Sequence, residues 1–194
     1  MYKIIIALFV SLLFYYIGCS SEKQPEVSEE LISEMRVNAD EFMSGLRDIL
    51  VGQIQKNGLV AAVSVCSDSA QILTNNFSVE KGIYIKRVSF NNRNANNTPD
   101  NFETEGMNYF QQILDKGNLD TLSEYFKVIE ENDVKSLRYM KPILLQAPCL
   151  NCHGPKDQII PDVLQVINNR YENDKAVNYQ IGDLRGAISI QKVF

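Results

Sequence analysis

The chain has 194 residues, 45% of them hydrophobic, with 24 acidic against 19 basic side chains and a formal charge of −5. That balance argues against nucleic acid as a partner, since such proteins carry a basic face, and the length suits one domain with a proper core. Histidine occurs once and cysteine four times, so chemistry that rests on these residue types is confined to a few positions.

Lys3 followed by the apolar run from Ile4 to Ile17 has the form of an export signal, too short for a membrane span of about twenty apolar residues. Cys19 directly after the small Gly18 resembles a bacterial lipoprotein cleavage site, so residues 1–18 are read as a lipoprotein signal peptide and Cys19 as the lipid-bearing residue. Residues 19–26 form a flexible polar tether, and 27–194 a single domain held at the outer side of a bacterial membrane. Ordinary cleavage, or an uncleaved anchor, is the plainer alternative.

Val27, Leu31, Met35, Ala39, Phe42, Leu46 and Ile49 recur every three or four residues, the period of a long helix with one buried face. Asn57-Gly58 interrupts it, and Leu59, Val63, Cys66, Ala70, Leu73 and Phe77 continue as a second helix, with Cys66 in the middle of the apolar face. Ile83 to Phe90 reads as a strand and residues 91–101 as an Asn-rich loop. Thr98-Pro99 opens a third helix that runs to about Lys116. Strands are expected at Ser123–Glu130 and Lys135–Ile143, a short helix at Asp162–Asn169, and a last strand in which Leu184, Gly186, Ile188 and Ile190 alternate with Arg185, Ala187, Ser189 and Gln191. The order implies an α+β fold: an antiparallel sheet covered on one side by long N-terminal helices.

Cys149-Leu150-Asn151-Cys152-His153, expected in a loop between Pro148 and Pro155, has the spacing of c-type haem attachment. Two thiols two residues apart can add to the two vinyl groups of one haem while the adjacent imidazole reaches the iron. The alternative is a Cys149–Cys152 disulfide in a haem-free extracytoplasmic binding module. Because His153 is the sole histidine, a second histidine ligand from the same chain is excluded. Met35, Met43, Met107, Met140 and Cys66, together with lysines and tyrosines, remain as candidates for the sixth position; Met140 lies closest in sequence to the motif, yet core packing is its commoner role. A buried, inert cysteine and an iron ligand are both open readings of Cys66. Arg87, Arg93 and Arg185, each in or beside a strand or the Asn-rich loop, are candidate partners for haem propionates, against the alternative of solvated charge.

Four stretches together resemble a family of exported c-type haem sensor domains with a PAS-like fold, long catalogued as a domain of unknown function. They are Ala62 to Cys66 with Ala70, Arg93 to Asp100 leading to Phe102-Glu103, Cys149 to Gly154, and Gly182 to Ala187. Ala95 departs from the proline expected after Arg-Asn. The resemblance implies a PAS-like sheet, one covalent haem c on Cys149 and Cys152, His153 as proximal ligand and Cys66 as an unusual distal thiolate. The function it implies is redox or diatomic-gas sensing, or single-electron transfer to a redox or signalling partner at the membrane. Enzymatic turnover is not expected, because no distal histidine is present to assist peroxide cleavage.

Overall fold

The computed structural model describes residues 27–194; the leader 1–18, Cys19 and the tether 19–26 lie outside the described residues. Chain order is α1 (Glu29–Lys81), β1 (Tyr84–Val88), α2 (Asn101–Asp115), β2 (Tyr125–Glu131), β3 (Val134–Leu144), α3 (Leu150–His153), α4 (Pro161–Arg170) and β4 (Leu184–Val193). Single 3-10 turns at Ala95–Asn97 and Ala147–Cys149 precede α2 and α3.

Ser28 caps α1, its hydroxyl accepting from the Leu31 amide, and Glu29 and Glu30 occupy the first turn, where the helix dipole favours acids. The two expected helices adjoin across a kink at Gly58, where the sequence places the interruption, and are described together as α1. Gly58 has φ 79° and ψ 172°, a conformation that only glycine adopts without strain, and helix resumes on both sides without a loop. No single helix among the described residues is long and apolar enough to cross a membrane. The third helix starts later than Thr98-Pro99 suggests, at Asn101: Thr98 ends the preceding 3-10 turn, and Asp100 is the cap, accepting from the Glu103 amide at 2.8 Å while the Glu103 carboxylate accepts from the Asp100 amide at 2.8 Å, a reciprocal capping box.

The sheet order is β1-β4-β3-β2, with every neighbouring pair antiparallel. Its α+β, PAS-like character agrees with the sequence expectation, but both faces are covered rather than one. Ile85, Leu137, Tyr139, Ile188 and Ile190 pack against Ile32, Met35, Ala39 and Phe42 of α1. On the opposite face Val88, Met140 and Ala187 meet Phe102, Met107 and Phe110 of α2. Alternation along β4 places Ala187 and Ser189 on that second face, and both are buried because small side chains let a helix approach closely. The alternation also breaks at one end: a register shift between Ile143 and Leu144 sends Leu184 to the α2 cluster and not to the face of Ile188.

Polar side chains fasten both helical layers. Arg36 of α1 donates to both oxygens of Glu124 at 2.8 and 2.7 Å, and Glu124 also accepts from the Tyr139 hydroxyl at 3.1 Å. Glu103, fully buried, pairs with Lys86 of β1 at 2.9 Å and with Arg138 of β3 at 3.3 Å, tying α2 to the sheet.

Candidate functional site

A cavity of about 1050 Å3 opens between α1 and the sheet end where Arg87, Ile143 and Gly186 lie. Met43, Leu46, Leu50 and Ile54 line it from before the Gly58 kink, Leu59, Val63 and Ala70 from beyond it. Its volume stands at the upper limit of the range usual for small-molecule sites, about 300–1,000 Å3. Val63 also packs on Val163 and Ile167 of α4, with Cys152 beside them, so the second arm of α1 and α4 together support the Cys149–His153 segment.

The motif is helical, not a loop. Pro148 sits in the first positions of the 3-10 turn, the Cys149 amide donates to the Gln146 carbonyl at 2.9 Å, and the turn runs on into α3, which Gly154 ends. On a helical turn, residues three and four apart share a face. Cys152 and His153 are the third and fourth residues after Cys149, and all three line the cavity. Cys149 is a free thiol.

His153 is of intermediate exposure, its open edge facing the cavity. Its Nδ1 lies 2.7 Å from the Ala176 carbonyl oxygen. A carbonyl only accepts, so Nδ1 carries the hydrogen and donates it, which leaves Nε2 with its lone pair. Burial, then the cations Arg185 and Arg93, hold the imidazole well below its ordinary value and outweigh the opposing pull of the Ala176 carbonyl. The ring is therefore neutral at neutral pH, the form that binds a metal.

The three arginines behave differently. Arg87 lines the cavity from β1. Arg93 also lines it, but its guanidinium is engaged with protein: Nε donates to Asp174 at 3.1 Å, and Nη2 to the carbonyls of Cys152 at 2.6 Å and Ala176 at 3.2 Å. Arg185 donates from Nη1 to Ser89 Oγ at 3.0 Å and to the Asn91 carbonyl at 3.3 Å, and lies 5.3 Å from the Tyr179 ring centre. Its Nε is buried with no hydrogen-bond partner among the described residues.

Met140 is fully buried on the α2 face of the sheet and is not among the residues lining the cavity. Cys66 lies within α1, and its flanking residues Val63, Ser67 and Ala70 line the cavity; its side chain is outside the described part of the structure. Among the described residues no three His, Cys, Asp or Glu side chains gather as a metal site.

Residues 22–192 match the family model described as Tll0287-like. This chain belongs to the Tll0287-like family. The fold of this Tll0287-like chain is shared with the solved structure of the cyanobacterial haem protein Tll0287, at a TM-score of 0.58 and 19% identity, over 86% of this chain and 96% of that one. No curated protein matches the sequence. Two residues that contact Arg93 and His153, Asp174 and Ala176, carry no sequence signal, because they lie in an irregular stretch and act through contacts 81 and 23 residues away.

Proposed function

We propose that the protein is a haem-binding sensor-like domain that holds one haem c covalently through Cys149 and Cys152, with His153 as an axial ligand and Cys66 as the other. The hydrogen bond from His153 Nδ1 to the Ala176 carbonyl carries this reading. It fixes the tautomer that leaves the Nε2 lone pair free on a residue lining the cavity, and a backbone carbonyl behind a ligating histidine is the usual second partner of such ligands. The helical placement of both thiols beside that imidazole supports the same reading. The haem protein Tll0287 shares the fold, and membership of the Tll0287-like family supports haem binding here.

Haem would supply a redox-active iron whose potential a thiolate opposite imidazole lowers, relative to a His/Met site. The protein's own residues do the rest. His153 is kept neutral and oriented, apolar side chains of α1 such as Leu46, Leu50 and Val63 would face the macrocycle, and Arg185 with Arg87 would offer cations to propionates. Removal of residues 1–18 and lipid on Cys19 would tether the domain at the outer face of a bacterial membrane, within reach of a redox or signalling partner. No catalytic turnover is assigned to this site.

Sensing of redox state or a diatomic gas is distinguished from single-electron transfer by reducing the matured protein under CO or NO. Loss of an axial ligand on reduction with tight gas binding is the expected result; an iron that stays six-coordinate and exchanges electrons quickly would make the protein an electron carrier. A chain that carries no covalent haem after coexpression with a cytochrome maturation system would favour the haem-free module with a Cys149–Cys152 disulfide.

A further inference from the structure

The segment 171–183 has no helix or strand, yet it supplies the acceptor for His153. What holds that acceptor still is a second set of contacts. The Asp174 carboxylate oxygen Oδ1 accepts from the Ala176 amide at 2.9 Å and from Arg93 Nε at 3.1 Å. Arg93 Nη2 reaches the Ala176 carbonyl at 3.2 Å, the oxygen that also receives His153 Nδ1, and the Cys152 carbonyl at 2.6 Å. The side chains of Arg93 and Asp174 are 12% and 7% exposed, so water does not screen the pair as it would at a surface.

We propose that Arg93 and Asp174 are a positioning pair that fixes the tautomer and orientation of His153 through the Ala176 peptide. Asp174 holds the peptide plane before Ala176 by its N–H and Arg93 the plane after it by its carbonyl, so neither plane can turn without breaking a charge-assisted hydrogen bond. The planar guanidinium matters, because one fork bridges the carboxylate, the Ala176 carbonyl and the backbone of the residue preceding His153. A carbonyl has two lone pairs, and here Arg93 takes a share of the oxygen facing Nδ1. This inference rests on His153 being an iron ligand for its functional meaning, but the tautomer it predicts belongs to the protein alone.

Because His153 is the sole histidine, its ring nitrogens give one unambiguous set of signals in long-range proton–nitrogen NMR spectra. The full chain without haem, as wild type, Arg93→Lys and Asp174→Asn, is compared at one pH with folding checked by circular dichroism. Wild type is expected as the Nδ1–H tautomer, and each variant to raise the Nε2–H fraction about fivefold, the population change that one hydrogen bond of ordinary net strength produces. Identical tautomer ratios in all three folded proteins would overturn the proposal. Should the haem-free chain not fold, the matured proteins are compared by reduction potential and by the g-values of the ferric iron. A shift of both in Arg93→Lys and Asp174→Asn supports the pair, and unchanged values in both variants refute it. A wild type that binds no haem would refute the haem reading separately, with the tautomer result still standing.

Discussion

Met140 Sδ occupies the space that a Cβ on Gly106 of α2 would need, and Tyr125 closes the same gap from β2. Met140 is thus committed to the joint between α2 and the sheet. Met140→Ala is expected to cost about 2–5 kcal/mol, as large-to-small changes in a packed core do, and Gly106→Ala to destabilise by forcing Met140 aside. Denaturant unfolding measures both. The absorption spectrum of the matured Met140→Ala protein should match wild type; a lost or shifted ligand band would show that Met140 coordinates the iron.

Cys66 gives the opposite expectation. Its place in α1 is flanked by cavity-lining residues, and Cys66→Ala should shift the ferric spectrum toward high spin while both thioether bonds form normally. A low-spin spectrum identical to wild type would remove Cys66 from the iron.

The Gly58 kink lies between the two arms of α1 that line the cavity. No atom stands within 4 Å of an added Cβ there, so Gly58→Ala tests conformation and not crowding. Forcing alanine into this glycine-only region costs about 1–3 kcal/mol. A lower melting temperature and a reduced haem-to-protein ratio are expected; unchanged values would mean that α1 straightens at no cost.

Hydrogen bonding to Arg36, ahead of the opposing effect of burial, holds the Glu124 carboxyl below its ordinary value of 4.5. A group depressed on folding adds stability that is fully present above the unfolded value and fades as pH falls through the folded one. Wild type should therefore lose stability from about pH 4.5 downward, and Glu124→Gln should be less stable at neutral pH with a shallower acid slope. Unfolding curves between neutral and acid pH check this, and parallel slopes would contradict it.

Much of the architecture was legible because its signals are local. The stripe of Met35, Ala39 and Phe42 and the alternation around Ile188 each act within a few residues of chain, whereas the start of α2 was read two residues early, at Thr98-Pro99 in place of the Asp100 cap. The covering of the second sheet face was not legible, since it depends on small residues such as Gly106 and Ala187 meeting across the fold. In the site, Cys149, Cys152 and His153 are marked by spacing, whereas the partner of Arg93 proved to be Asp174, 81 residues away in a stretch without periodicity. Arg93 looked like a cation available to a ligand for the same reason: nothing near it in sequence announces its carboxylate.

The covalent hold of Cys149 and Cys152 on haem is measured most directly by haem absorbance that remains on the polypeptide after denaturation and acidic organic extraction. Wild type matured beside a control cytochrome should retain one haem per chain, and a Cys149→Ser, Cys152→Ser double variant should lose it. A wild-type chain stripped of haem, with the control cytochrome still loaded, would contradict covalent attachment at this motif.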